Sequence, residues 1–299
     1  MSVTRRDFFK VCGGAAAAIG LSNLKPFQVL ASEPGNVKVY AFICGILKTQ
    51  TQYLLKDYQI GVPFNIPVPF FLIKHGGSWV AFDTGNNLGA AEDPVKYWGK
   101  AVTDAYMPVM KTYEVFKVQI SRLGLKPADI KCVILSHGHL DHAGAIDNFV
   151  GTDVPLYIQN RELKVIKDAV AAGKKTAYIP DDFKKMNQLN MKGIDGAFDV
   201  FGDQTLVAFP TPGHTPGHQS LFVKTGDGKN MILTQDACYT MANMMAAIPP
   251  GLYWDIPQAM TALYTFKIMQ SMGGQIVPAH DPDFWKNKPL GPETLSYLG

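Results

Sequence analysis

Four residues on one short segment, His137, His139, Asp141 and His142, carry side chains that can bind metal ions. Three imidazoles and one carboxylate thus fall within six consecutive positions of the run 136–144. Such a density does not suit an apolar core, because buried polar groups need partners and an unpaired buried carboxylate is costly. Imidazole and carboxylate are instead common ligands of divalent transition metals. The segment therefore predicts a metal site rather than an exposed histidine cluster without a role.

The neighbouring elements place these side chains on a loop. Residues 131–135 form a short, β-rich apolar run that is typical of a buried strand, and residues 143–150 predict the start of a helix. The alternating spacing allows His137 and His139 to point to one position while Asp141 and His142 turn towards a second. One loop would then supply ligands to two metal ions.

Three further polar residues, His214, Asp236 and His280, each follow an apolar run in the second half of the chain. We expect them at equivalent strand ends, on the same rim as the loop. Two tetrahedral or slightly expanded sites need about four ligands each. Asp236 is the expected bridge, because a carboxylate has two oxygens. The other six residues divide into two sets, His137, His139 and His214 for the first ion and Asp141, His142 and His280 for the second.

The pattern of strands and helices is repeated in outline in the two halves of the chain. Strands are predicted at residues 37–43, 68–74, 79–82, 131–135, 155–159, 204–209, 220–224, 231–234 and 275–277. Helices are predicted at residues 112–123, 161–172 and 255–272. This order indicates an α/β protein with two mixed β-sheets face to face and helices outside, a four-layer αββα sandwich. No Pro/Gly/Ser-rich linker separates the halves, so residues 32–299 are expected to form a single domain.

The N-terminal segment has the three-part layout of an export signal. Arg5 and Arg6 are followed by an apolar stretch at residues 11–21 and by small residues suited to cleavage near Ala31. The arginine pair resembles a twin-arginine signal, so we expect the Tat machinery as a transient partner and a periplasmic or secreted product. The mature chain would have 24 basic and 24 acidic residues. A formal charge of zero gives no electrostatic case for nucleic acid or for a stable membrane anchor.

These residues resemble the metallo-β-lactamase superfamily over nearly the whole mature chain. The motif His-x-His-x-Asp-His at residues 137–142, with His214, Asp236 and His280 after it, has the order and rough spacing of the family's binuclear hydrolases. Residues 83–85 (Asp-Thr-Gly) and 214–218 also match recurrent motifs of that family. The resemblance implies the αββα metallo-β-lactamase fold, with the site at the rim between the sheets. It also implies two divalent metal ions; zinc is favoured, although iron, manganese and cobalt suit the same ligands.

Within the superfamily the chain is most similar to the N-acyl homoserine lactonases. Residues 233–239 end in Tyr239, three positions past Asp236, as in those enzymes, and residues 66–72 resemble their N-terminal half. An aspartate at 236 departs from the true β-lactamases, which typically have cysteine there. Our hypothesis is that a hydroxide between the ions attacks the lactone carbonyl. Tyr239 would stabilise the oxyanion, and Asp141 would pass a proton to the leaving oxygen.

Two other functions use the same ligands. A hydrolase of another ester, thioester or phosphotriester would need an identical metal site, and a non-catalytic metal-binding or scaffold protein would need the ligands alone. A full ligand set together with a candidate oxyanion donor argues against the scaffold, because degenerate family members usually lose ligands. Tyr239 favours the lactone, unless it is an ordinary half-buried aromatic. The substrate's acyl chain and the oligomeric state do not follow from the sequence.

Several residues have a structural interpretation beside a functional one. Asp83 would either orient a ligand histidine through its second ring nitrogen or cap a turn. The methionine-rich stretch 240–254 would either line an acyl-chain pocket or pack in the core or at the surface. His218 is expected to be structural, and His75 is expected to be exposed in a hairpin turn. The three cysteines of the predicted mature chain, Cys44, Cys132 and Cys238, are expected to be buried free thiols.

Overall fold

The structure is a computed structural model that describes residues 37–294. The predicted export signal at residues 1–31 lies outside this range. Within the described range, no helix has the length and apolarity that a membrane span requires.

Two mixed sheets contain the strands of the described chain. The first has the order β4-β1-β2-β3-β5-β6-β7. Its strands are β1 Val37–Gln50, β2 Pro63–His75, β3 Ser78–Phe82, β4 Met107–Val109, β5 Ile130–Ile134, β6 Pro155–Gln159 and β7 Asn190–Ile194. The second has the order β12-β11-β10-β9-β8. Its strands are β8 Phe198–Asp199, β9 Leu206–Pro210, β10 Gln219–Lys224, β11 Asn230–Gln235 and β12 Gly274–Pro278.

Most helices pack on the outer faces of the sheets, and they differ greatly in length. The two longest are α5 Asn160–Ala172 and α8 Ile256–Ser271. The shorter ones are α1 Leu88–Glu92, α2 Pro94–Trp98, α3 Lys100–Ala105, α4 Phe116–Ser121, α6 Pro180–Phe183, α7 Met241–Ala246 and α9 Pro282–Trp285. Asp255 begins α8, because its carboxylate accepts a hydrogen bond from the Gln258 amide.

Side-chain alternation along the strands produces the layers. On β2, Phe71 and Ile73 join a core between the sheets that includes Leu221 of β10. Phe70 and Leu72 point the other way, into a core shared with the helical side of the first sheet. This is the period of two that a strand buried on both faces requires. A third core, on the outer face of the second sheet, joins β11 and β12 to α8. The four-layer αββα sandwich predicted from the sequence is therefore confirmed.

Parallel strand pairs bring the functional loops to one rim. β3 pairs in parallel with β5, and β11 pairs in parallel with β12. The carboxyl ends of parallel neighbours lie at the same edge of a sheet. The segments that follow these four strands carry Asp83, the loop 136–142, Asp236 and His280.

Two helix predictions differ from the structure. Residues 143–150 contain only a 3₁₀ turn, Ile146–Phe149, because this backbone is used for tertiary contacts: Ala143 bridges to Gly85, and the Gly144 carbonyl accepts a hydrogen bond from the Asn87 amide. The predicted helix 112–123 is shortened to α4, because Val115 has an extended backbone. Its first residues form a separate 3₁₀ turn instead.

Candidate metal centre

Seven buried side chains, drawn from loops of both sheets, meet in two adjacent groups. The first group contains His137, His139, His214 and Asp236, and the second contains Asp141, His142 and His280. Within each group the potential ligand atoms all lie within 4.8 Å of one another. The seven residues expected from the sequence are thus brought together, in the two sets expected.

The first group is built around His214. Its Nε2 atom lies 2.9 Å from Nδ1 of His139 and 3.2 Å from Nε2 of His137. The Oδ2 atom of Asp236 is 3.2 Å from the same His214 nitrogen and 3.6 Å from Nε2 of His137. Three ring nitrogens and one carboxylate oxygen therefore surround one point.

The second group shares Asp236 with the first. Its other oxygen, Oδ1, lies 3.0 Å from Nε2 of both His142 and His280. Asp141 completes the group, with Oδ1 3.6 Å from Nε2 of His142 and Oδ2 3.6 Å from Nε2 of His280. Asp236 thus faces one group with each oxygen, which is the position expected of a bridging carboxylate.

The chemistry of these donors fits two divalent cations. Burial lowers the pKa of His137 and of His139 well below the usual value, so both rings are neutral and have a lone pair to offer. Nε2 of His214 carries no proton, because Nδ1 donates to the Leu252 carbonyl, and it lies 3.2 Å from Nε2 of His137. Nε2 of His142 and Oδ1 of Asp236 lie 3.0 Å apart, yet neither atom has a hydrogen-bond partner within residues 37–294. Buried donors in this state are stabilised by a cation.

Asp83 orients two of the histidines from behind. Its Oδ2 atom lies 2.8 Å from Nδ1 of His142 and accepts hydrogen bonds from Ser136 Oγ and the Gln235 amide. Ser136 Oγ in turn lies 2.9 Å from Nδ1 of His137. This arrangement leaves Nε2 of both histidines to face the site. Of the two roles considered for Asp83, contact with a site histidine is the one observed.

Backbone carbonyls perform the same task for two other rings. Nδ1 of His280 donates to the Pro67 carbonyl at 2.7 Å, and Nδ1 of His214 donates to the Leu252 carbonyl at 2.8 Å. A carbonyl only accepts, so each Nδ1 holds the proton and each Nε2 is left free for the site.

Tyr239 lies at the junction of the site and a cleft. Its hydroxyl is 3.1 Å from Nδ1 of His214, and its ring is 5.5 Å from the ring of His280. The cleft is lined on one side by His139, Asp141, Asp236 and His280, and its walls are mainly apolar or aromatic: Leu47, Tyr53, Leu54, Ile66, Tyr106, Leu140, Ala177 and Leu252. Tyr239 is therefore within reach of any molecule bound at the site.

The methionine-rich stretch 240–254 lies mostly outside this cleft. Met244 is buried in the core beside α8, whereas Met245 is 73% exposed. Leu252 is its contribution to the cleft wall. Packing in the core or at the surface, the alternative to an acyl-chain pocket, describes most of this stretch, and only a minority of its residues are buried.

The two histidines outside the site have different surroundings. His218 is fully buried, and its Nδ1 lies 2.9 Å from Thr211 Oγ1, in agreement with a structural role. The prediction that His75 is exposed is wrong. Its ring stacks on Phe201 and its Nε2 lies 2.8 Å from the Asp203 carboxylate, because the β2–β3 turn is covered by the 198–205 segment. The three cysteines of the described chain are buried free thiols, as expected.

Sequence reasoning missed Glu162, a fully buried carboxylate behind the first group. Gly138 N–H and the Tyr178 hydroxyl donate to its Oε1, while Gly217 N–H and the Thr215 hydroxyl donate to its Oε2. An acidic residue in the first turn of a helix is common for reasons of capping and helix dipole, so its position gave no distinctive signal.

Comparison with known proteins agrees with this geometry. The sequence model of the metallo-beta-lactamase superfamily matches residues 65–229, more than half of the chain. The protein belongs to the metallo-β-lactamase superfamily. The N-acyl homoserine lactonase AttM of Rhizobium radiobacter is 36% identical to it over 265 residues, which cover 86% of this chain and 98% of the relative.

More distant lactonases resemble the chain as well. An N-acyl homoserine lactonase of Bacillus thuringiensis is 32% identical over 189 residues, covering 63% of this chain and 71% of the relative. A solved N-acyl homoserine lactone hydrolase, with N-hexanoyl-L-homoserine bound at its catalytic metal centre, has a TM-score of 0.76 and 27% identity. That match covers 87% of this chain and 99% of the solved chain.

Proposed function

We propose that this protein hydrolyses the lactone ring of N-acyl homoserine lactones and thereby quenches quorum signals. The observation that carries the proposal is the position of Tyr239, whose hydroxyl lies at the two-group site and faces an apolar cleft. The relatives that match nearly the full length of the chain are named for this activity. The cleft walls suit an acyl chain, and the polar floor suits the lactone ester.

The proposed ligands of one ion are His137, His139, His214 and Asp236, which form the first group. Those of the other ion are the second group, Asp141, His142 and His280, together with the shared Asp236. Two bound divalent ions would supply Lewis-acid polarisation of the ester carbonyl and would lower the pKa of a water molecule. We propose zinc as the ion, because a set rich in imidazole with few carboxylates suits it well.

Tyr239 is suited to donate a hydrogen bond to the carbonyl oxygen as negative charge develops there. Burial raises its pKa well above the usual value, so the hydroxyl keeps its proton. The neighbouring Nδ1 of His214 already donates to the Leu252 carbonyl and has no lone pair to accept a proton. The Tyr239 proton is therefore available to the substrate, in a buried position where such a donor is effective.

Asp141 is suited to move the proton that hydrolysis requires. The oxygen of water forms a bond to the carbonyl carbon, the bond from that carbon to the ring oxygen breaks, and the ring oxygen must gain a proton. Asp141 lies in the cleft lining, next to His142 and His280. Its carboxylate can take a proton from water and return it to the ring oxygen, so no proton has to come from bulk solvent.

We further propose that residues 1–31 direct the protein out of the cytoplasm through the twin-arginine route. The support is the sequence pattern itself, the Arg5–Arg6 pair followed by an apolar stretch and small residues. N-terminal sequencing of the protein from a periplasmic fraction tests the idea, and a chain that is retained in the cytoplasm with Met1 intact would refute it.

A substrate panel on metal-quantified protein tests the proposed activity. We expect turnover of a long-chain N-acyl homoserine lactone to exceed that of an aryl phosphotriester, an aryl ester and a thioester measured on the same preparation. The lactone product should be the ring-opened N-acyl homoserine, identified by mass. Faster hydrolysis of the phosphotriester, or no lactone turnover in protein containing two ions per chain, would overturn the proposal.

A further inference from the structure

Glu162 lies at the start of α5, against the two loops that supply the histidines of the first group. One loop contains Gly138, between His137 and His139, and the other contains Gly217, three residues after His214. The carboxylate accepts hydrogen bonds from both glycine amides, each at 3.0 Å. One buried side chain thus joins the two loops that meet at this group.

Two glycines allow the loops to approach α5 this closely. A Cβ atom added to Gly217 would lie 2.2 Å from the Glu162 amide nitrogen, and one added to Gly138 would lie 2.6 Å from Ile166 and 2.9 Å from Tyr178. Neither position has room for a side chain. The close packing that exposes both amides to Glu162 is therefore built into the sequence of the loops.

Two hydroxyl groups complete the environment of the carboxylate. Tyr178 and Thr215 each donate a hydrogen bond of 2.7 Å, one to each oxygen of Glu162. The Tyr178 ring also packs edge-on against His139, with 4.6 Å between centroids. Nε2 of His139 has no hydrogen bond to a side chain or a carbonyl within the residues that the structure describes. In His142, His214 and His280, by contrast, Asp83 or a backbone carbonyl is bonded to the second ring nitrogen. The ring contact with Tyr178 can fix the orientation of His139 instead.

We propose that Glu162, with Tyr178, is a positioning residue that holds the first metal-ligand group in its binding geometry. All four of its partners are hydrogen-bond donors, so the ionised carboxylate, with two accepting oxygens, is the matching group. A glutamine at 162 would turn an NH₂ group towards one pair of donors and break the link to one loop. The second group, Asp141, His142 and His280, has no hydrogen bond to Glu162 and would be affected less. The inference rests on the proposed function only in assuming that the two ligand groups bind metal ions.

The test is the affinity for Zn²⁺ measured without substrate, by competition with a chromophoric chelator. In Glu162→Gln we expect one of two ions to bind about 10- to 100-fold more weakly, the range for loss of an outer partner of a ligand, while the other keeps its affinity. Tyr178→Phe, which keeps the ring on His139 and removes one hydroxyl, should show a smaller loss at the same ion. Because no substrate is present, failure of the lactonase proposal would leave this result intact.

Asp182→Asn is the matched control. Asp182 is another buried carboxylate that accepts a hydrogen bond from a tyrosine, Tyr97 at 2.8 Å, but it contacts neither metal-ligand group. It should retain both ions at wild-type affinity, whatever its effect on the thermal midpoint. The proposal is overturned if Glu162→Gln also retains both ions and loses only stability, or if it weakens both ions equally. Should Glu162→Gln fail to fold, wild-type Zn²⁺ affinity in Tyr178→Phe would overturn it as well.

Discussion

The hydroxyl of Tyr239 can be removed without disturbing the ligands, because its ring would still pack between His214 and His280. For Tyr239→Phe we expect turnover of the lactone to fall by about 10- to 1,000-fold, the upper end being the cost of losing one oxyanion donor. The metal content should not change. Steady-state kinetics with metal analysis of the same sample measures both quantities.

Tyr97→Phe provides the comparison for Tyr239→Phe. It also removes a partly buried hydroxyl, but one that donates to Asp182 away from the site. It should lower stability by about 1 kcal/mol and leave turnover alone. An unchanged rate in Tyr239→Phe would mean that Tyr239 has only a packing role and that the metal ions alone stabilise the oxyanion.

Individual residues differ in how far the sequence reveals them. His137, His139, Asp141 and His142 were predictable because their spacing is local, and an imidazole or carboxylate after an apolar run is unusual. Glu162 was not, because two of its four partners are backbone amides and all four lie at least 16 residues away in sequence. A backbone amide has no residue type that could identify it, so only the fold shows which carboxylate it meets.

At the level of elements, the end of β3 is the most sensitive to a small change. Gly85 has a φ of +69°, and an added Cβ would lie 2.7 Å from Cβ of Cys44. Gly85→Ala therefore combines backbone strain with overpacking, and we expect it to lower the free energy of unfolding by about 2–5 kcal/mol. The nearby Asp83 would be displaced with it. Urea unfolding measures the loss.

Gly76→Ala separates the two contributions in Gly85→Ala. Gly76 also has a positive φ, +57°, but open space surrounds the position where its Cβ would be. Its substitution should cost only the strain, about 1–2 kcal/mol. Equal losses in the two variants would mean that contact with Cys44 contributes nothing.

Nine of the twelve strands of the described chain were predictable from alternation and turn residues, but β4, β7 and β8 were not, and neither were the strand lengths. β1 was expected at residues 37–43 and extends to Gln50, because a bulge between Ile43 and Ile46 lets the strand bend and continue pairing with β2. The helix expected after the metal loop does not form. There, contacts of Ala143 and Gly144 with the 85–87 segment replace the hydrogen bonds of a helix.

For the whole molecule, removal of the metal ions should lower stability as well as activity. Ions that bind only the folded chain add about 2.7 kcal/mol per site when free ion is 100 times the dissociation constant. The chelated protein should therefore unfold at a lower temperature, and added Zn²⁺ should restore both the midpoint and lactone turnover. Calorimetry with metal analysis measures the shift. An identical midpoint in protein verified to be metal-free would exclude these buried donors as the binding site.

Each ligand group takes donors from both sheets. His137 and His139 meet His214 and Asp236, while Asp141 and His142 meet His280 and the same Asp236. Until the sheets have docked, the 136–142 loop offers only two donors to either ion. The ions would therefore link the two sheets. They would bind after the sheets have docked and would be released only when the sheets separate. The rate at which a bound ion exchanges with solution would then report how often the interface between the two sheets opens.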